Sequence, residues 1–365
     1  MSNYSPTLFS SIVDIPKQQW DSIWTYPAEG YNFYLSQEKS NISGFEFSYL
    51  VIQDDDTVVL IAPVFIADFN FDLALAGLAQ SALRRVQRLW PKFLVVKTLF
   101  CGALTSDKAV ISIHPEHRAR PDLFAALDRA LLAKARADGV NMITLKDVMA
   151  TDAEQLAPLL SLGYSKSEGL PMTTLPIAFE GVEDYLSKLS PKTRKNLRRK
   201  LKEAQARGGV STEAATEIEH LIDEVHALYL NTQQRSNLKF GVLTKDFFLN
   251  QVKYMPDQAI YFLYWIKQGD TRRLIGFNLC LDRGDELMDK FIGMDYEYAK
   301  KFNLYFVSLL ENVEWCIKHQ KKFYVLNQGG YEVKGRLGAT MLPMVHMSKV
   351  VNSFVNRLSI FFARP

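Results

Sequence analysis

Cysteine is scarce in this 365-residue chain: Cys101, Cys280 and Cys316 are its three thiols, far apart and without any Cys-x-x-Cys spacing. Dispersed cysteines in odd number exclude a disulfide framework and a cysteine metal site, and fit a reducing compartment. Long apolar runs are missing too. Val58–Phe69, one of the longest, is interrupted by Pro63 and Asp68 and falls short of the roughly 18 residues that a membrane-spanning helix needs. The opening MSNYSPTLFSS has neither the cationic nor the apolar stretch of a secretory leader, so a cytoplasmic location is expected. No charge sign dominates. With 43 Lys and Arg against 40 Asp and Glu, the net +3 gives no whole-molecule field for binding DNA.

Familiar catalytic motifs are equally sparse. The chain has no Walker loop, dinucleotide fingerprint, nucleophile elbow or His-Glu-x-x-His. His114 and His117 have ligand-compatible spacing but no third ligand, so no metal is expected. Cys280 has no neighbouring histidine to activate it and reads as a buried structural thiol.

What the chain does have is ample core material, 48% hydrophobic against 23% charged residues, in a length that exceeds a single core. Two domains are expected, 1–180 and 181–365. Phe45–Gln53 and Thr57–Ile66 read as strands around the turn Asp54-Asp55-Asp56. Pro121–Gly139 reads as a helix with Pro in its first turn and Gly at its stop. Ser190–Ala206 reads as a strongly basic helix, and strands follow at Ala259–Ile266, Arg273–Asp282 and Glu286–Asp295. Leu304–His319 is the next helix, followed by strand Phe323–Leu326, a short helix around Val333 and a strand at Met341–Val350. Each half thus ends in strands, helix, strand, short helix, strand, the element order of a diverged duplication. The apolar, amphipathic Val350–Phe362 reads as a helix on the body of the protein, with a membrane surface as the alternative contact.

Two stretches look site-like. FYVLNQGGYEVKGRLGATML, from Phe323 to Leu342, joins a strand to a Gly329-Gly330 break and to Tyr331, Lys334 and Arg336. Paired glycines let main-chain amides approach a ligand, and those side chains supply donors and positive charge. The basic helix offers Arg194 and Arg198 to a phosphorylated ligand, a solvated face being the alternative. Before the first half's helix, HPEHRARP places Arg118 and Arg120 at a helix entry, where an anion is favoured.

That Arg-led entry resembles the acyl-coenzyme-A loop of the GNAT N-acyltransferase superfamily, although Pro121 and Leu123 stand where the family has glycines. The equivalent turn of the second half, DYEYAKKFN from Asp295 to Asn303, lacks the glycines as well. Two such halves resemble the Fem-type peptidyltransferases and related GNAT proteins of peptidoglycan biosynthesis. The residues that carry the likeness are Ser190–Arg199, Leu304–His319 with the strand after it, and Tyr331–Gly338; the first half matches by element order alone.

The resemblance implies an α/β protein of the α+β type. Its tandem GNAT-like domains would each have a mixed, mostly antiparallel sheet flanked by helices. It implies an N-acyltransferase with no permanently bound cofactor, taking its group from acyl-coenzyme A or aminoacyl-tRNA as donor co-substrate. The expected partners are a small-molecule amine acceptor and tRNA. Direct attack by an amine needs a proton acceptor and a donor for the leaving group. Asp289 and Asp295 are the candidate bases and Tyr331 the candidate acid. Arg118, Arg120, Gln328, Lys334 and Arg336 are candidates for the donor, and Arg194, Arg198, Asn278, Tyr296 and Asn303 for the acceptor. A non-catalytic GNAT-like protein that binds an anionic ligand is the competing expectation.

Overall fold

The computed structural model describes residues 3–70, 95–235 and 241–352. Val350–Phe362, apart from its first residues, lies outside that range. The chain divides into two units, one of Met1–Glu38, Ile42–Gly169 and Met344–Pro365, the other of Lys39–Asn41 and Leu170–Pro343.

In chain order, the first unit begins with β1 (Tyr4–Phe9), α1 (Lys17–Ile23), α2 (Tyr31–Glu38), β2 (Glu46–Asp54), β3 (Thr57–Asn70), β4 (Val95–Cys101) and β5 (Ser112–Ile113). Then come α3 (Pro121–Ala137), β6 (Met142–Met149), α4 (Pro158–Ser161) and β7 (Ser165–Glu168). The second unit contains β8 (Met172–Pro176), α5 (Val182–Lys188), α6 (Pro191–Gln205), β9 (Ser211–Ala215), α7 (Ile222–Arg235) and α8 (Lys245–Tyr254). It continues with β10 (Ala259–Gln268), β11 (Thr271–Asp282), β12 (Glu286–Met294), α9 (Tyr296–Lys301), α10 (Leu304–Lys318), β13 (Phe323–Asn327), α11 (Tyr331–Arg336) and β14 (Thr340–Leu342). The last strand, β15 (Met344–Val350), returns to the first unit.

Local chemistry explains the boundaries. Asp55 takes a left-handed φ of 52° in the β2–β3 turn. Pro121 opens α3, and Gly139 closes it at φ 64°. Ser190 caps α6 by accepting from the Thr193 amide at 3.2 Å.

The two sheets share one plan. The first runs β1-β2-β3-β4-β6-β15-β7 with β5 beside β3; the second runs β14-β8-β13-β12-β11-β10-β9. In each, four antiparallel strands meet a fifth that runs parallel to the fourth, β4 with β6 and β12 with β13, as a helical crossover requires. The fifth strand is then flanked by a strand from the other half of the sequence. β15 pairs with both β6 and β7, and β8 pairs with both β13 and β14. A division at 180 is therefore corrected at both ends, because the backbone hydrogen bonds of β8 and β15 are satisfied in the opposite sheets. The expected single strand Met341–Val350 is likewise two, parted at Pro343, whose missing N–H ends the first ladder. In the second unit the core lies between the sheet and its helices, with Tyr264, Ile275, Leu304, Leu310 and Val313 buried together.

Candidate functional site in the strand fork of the second unit

β12 and β13 pair only from Glu286↔Phe323 to Met288↔Val325. Beyond that point β12 follows β11 to Met294, while β13 turns away at Asn327. The turn is sharp because Asn327, Gly329 and Gly330 all have left-handed φ, 57°, 81° and 62°. A cavity of about 220 Å³ occupies the fork, walled by Asp289, Phe291, Ile292, Tyr305, Tyr324 and Lys334 among others.

A β-bulge sets the key carboxylate. Leu279 pairs with Phe291 and Cys280 with Asp289, so Lys290 is the extra residue. Asp289 Oδ1 then accepts from Asn278 Nδ2 at 2.9 Å and from the Cys280 thiol at 3.2 Å. The Tyr324 hydroxyl reaches both carboxylate oxygens at 2.8 Å. Behind Tyr324, Asn312 Nδ2 donates to its hydroxyl at 2.8 Å, and Tyr264 donates to Asn312 Oδ1 at 3.0 Å. Burial pushes the Asp289 carboxyl up to about 6, against hydrogen bonds from Tyr324 and Cys280 and the charge of Lys334.

Lys334 is the cationic counterpart. It is 8% exposed, and its ammonium donates to the main-chain carbonyls of Leu326, Asn327 and Gln328. Burial lowers it to about 8, with Asp289 opposing. Three carbonyls at the end of β13 thus gain a donor where the strand has lost its neighbour.

Of the residues expected at a site, Asp289, Asn278, Gln328 and Lys334 converge on this cavity. Asp295 does not line it: the carboxylate caps α9 by accepting from the Glu297 amide at 3.1 Å and from Arg273 at 3.1 Å. The Tyr331 hydroxyl donates to the Pro171 carbonyl at 3.1 Å, and Arg336 pairs with Glu332 on the surface of α11. Arg194 turns inward to the Ser187 carbonyl at 2.9 Å, while Arg198 is exposed and pairs with Glu183. Asn303 is the left-handed N-cap of α10 and bonds the Lys200 carbonyl at 3.2 Å; Tyr296 lies under the Arg235 guanidinium, 4.0 Å from the ring centre. Arg118 and Arg120 are exposed residues of the first unit, before α3.

Tyr324, Asn312, Asn327 and Tyr305 are the site residues that sequence patterns did not single out. One signal was available. α10 buries Leu309, Leu310, Val313 and Cys316, and an asparagine in that apolar face, 0% exposed, demands a buried partner.

Among the described residues the first unit shows no matching fork. Its parallel ladder runs from Thr98↔Met142 to Cys101↔Leu145, and the following segment closes back on β6, where the Ala109 amide donates to Lys146 O at 2.9 Å and Asp147 O at 3.2 Å. Among the described residues no cluster fit to hold a metal ion occurs, and no helix is long and apolar enough to cross a membrane.

A model of the FemAB-like family, described as peptidoglycan biosynthesis/recognition, matches residues 11–354. No curated sequence matches the chain. Among solved structures, FemX superposes with a TM-score of 0.58 at 13% identity, over 94% of this chain and 98% of that one. A tandem GNAT protein from the clavulanic acid biosynthesis pathway gives 0.59 at 13% identity, over 96% and 99%. L-PGS from Bacillus licheniformis gives 0.54 at 9%, over 91% and 94%. At such identities the likeness fixes the fold, two GNAT-like units in tandem.

Proposed function

The chain belongs to the FemAB-like family, and from that premise we propose that it moves an aminoacyl or acyl group from an activated donor to an amine in the β12–β13 fork. The observation that carries this is the unequal engagement of the Asp289 oxygens. Oδ1 accepts from Asn278, Cys280 and Tyr324, whereas Tyr324 is the donor found on Oδ2 among the described residues. Oδ2 is the oxygen with capacity for a proton.

An ammonium must lose a proton before it can attack, and Asp289, held near neutrality, is suited to take it. The amine nitrogen then bonds to the donor carbonyl carbon, and the ester or thioester bond breaks. Lys334 stands beside the cavity as the positive charge that favours the oxyanion formed on the way. The nitrogen sheds a second proton as the amide forms while the leaving oxygen or sulfur takes one, and Tyr305, on the cavity wall in the first turn of α10, has a hydroxyl suited to give the one and be restored by the other, a part that Tyr331, turned to the Pro171 carbonyl, does not fit. A site enclosing a whole small molecule has roughly 300–1,000 Å³. At about 220 Å³ the fork fits the transferred group and the amine, with the bulk of both partners outside.

The test incubates purified protein with mixed aminoacyl-tRNAs or acetyl-coenzyme A and amine acceptors, including soluble nucleotide-linked peptidoglycan precursors. Mass spectrometry then follows the N-acylated product. Product that disappears in Asp289→Asn supports the proposal, and ribonuclease sensitivity assigns the donor. Equal product from the variant removes Asp289 as base. No product and no thermal stabilisation by any donor leaves a binding role in place of catalysis.

A further inference from the structure

We propose that Asn312, on α10, is a positioning residue that holds the Asp289 carboxylate ready to take a proton by fixing the direction of a buried hydrogen-bond chain. The inference rests on Asp289 being the base. Tyr324 is buried, and its hydroxyl has a single proton. Because Asn312 Nδ2 donates to that hydroxyl at 2.8 Å, the proton is left to Asp289, at 2.8 Å from each oxygen. With the amide reversed, Tyr324 would donate to Asn312 Oδ1 and the carboxylate would lose its shared donor.

Tyr264 opposes the reversal, because with the amide turned its hydroxyl would accept from Nδ2 and its own buried proton would lose the acceptor found for it among the described residues. Its hydroxyl donates to Oδ1 at 3.0 Å from the neighbouring strand β10, and it is 0% exposed, so the chain has no outlet to solvent. It therefore does not conduct protons away. It directs every donor along Tyr264, Asn312 and Tyr324 toward one carboxylate, and each bond polarises the next. A carboxylate at 312 would do the opposite and draw both tyrosine protons to itself.

The titratable groups packed around Asp289 are Cys280 on β11, Tyr324 on β13, Tyr264 on β10, Tyr305 and Cys316 on α10, and Lys334 on α11. Lys334 is the cation among them, and Lys290, the bulge residue, lines the same cavity. With the chain intact, the carboxylate is stabilised by dipoles that cannot reorient, which a burial role for Asn312 would not require.

The experiment is a carbon-13 carboxyl titration of aspartate-labelled protein, with the Asp289 signal assigned by its absence in Asp289→Asn. The pH dependence of turnover is measured alongside, with aminoacyl-tRNA and the nucleotide-linked precursor. In the near-isosteric Asn312→Asp, the Asp289 titration is expected to move up by about one pH unit or more, through lost donation and an added like charge. The acidic limb of the rate should move with it. Tyr264→Phe frees the Asn312 amide without adding charge, and a smaller shift in the same direction is expected; it keeps the test decisive should the aspartate variant not fold. An unmoved Asp289 titration in either folded variant overturns the inference, even if stability falls. A titration that moves while the rate limb stays supports the role of Asn312 and instead removes Asp289 as the base.

Discussion

Replacing Asp289 by asparagine should abolish turnover and, at neutral pH, make the second unit harder to unfold. Asp289 ionises near 3.8 in an unfolded chain and near 6 in the cavity wall. Below pH 3.8 it is protonated in both states and costs nothing. Above about pH 6 it is charged in both, and the folded state bears the penalty, about 2 units of pKa or ~3 kcal/mol. Stability from this group is therefore lost as pH rises from about 4 to about 6. Asparagine carries no such penalty, although its amide meets the Tyr324 hydroxyl less well than a carboxylate does, which costs ~1 kcal/mol. The net gain at pH 7 is ~2 kcal/mol, or about 4–8 °C in melting temperature for a unit of this size. Differential scanning calorimetry of both proteins at pH 4 and pH 7 measures the change in their difference, in which other titrating groups cancel. A variant that is less stable at pH 7, or a difference that does not vary with pH, would refute the account of a carboxylate held at a cost for function.

Turnover should rise through about pH 6 as Asp289 deprotonates and fall above about pH 8 as Lys334 loses its charge, and Lys334→Met should erase the alkaline limb. The same variant removes a donor from three carbonyls, of which that of Asn327 keeps the Thr173 hydroxyl, and should cost ~2 kcal/mol in chemical denaturation. Gly293→Ala should not be tolerated: its Cβ would lie 2.2 Å from Phe277 Cε1 and 2.8 Å from the Leu228 main-chain carbon, a loss of ~3 kcal/mol or more visible in soluble yield and circular dichroism melts. Deletion of residues 344–365 removes β15 from between β6 and β7 and should unfold the first unit, read as lost protection of β6 amides from hydrogen exchange.

Elements with strong local signals were legible in the sequence. α6 with its Ser-Pro start, α3 between Pro121 and Gly139, and β12 with its hairpin partner β11 follow from capping, periodicity and turn chemistry. The exchange of β8 and β15 was not legible, because a strand's local pattern does not say which sheet will satisfy its hydrogen bonds. At the site, Lys334 and Asp289 stood out as charges near glycines and a strand. Their supports did not, since Tyr324, Asn312 and Tyr264 come from three elements and look individually like core residues. Asp295 had the sequence setting of a base but the geometry of a cap, which only its distances to the Glu297 amide and Arg273 distinguish.

The strand exchange also imposes an order of assembly during synthesis. All the described strands of the first sheet but one are made by residue 168, yet the missing one, at 344–350, lies inside the sheet and not at its edge. At about 5–20 residues per second, the ribosome takes roughly 10–35 s to reach it. For that interval β6 and β7 have no common partner, and β6 presents an unpaired edge of the kind that invites aggregation. The second sheet meets no such delay, because its borrowed strand β8 is made before the rest. The second sheet, complete with β14 at residue 342, is thus free to finish first, and the first sheet closes only once β15, the strand after it, has emerged.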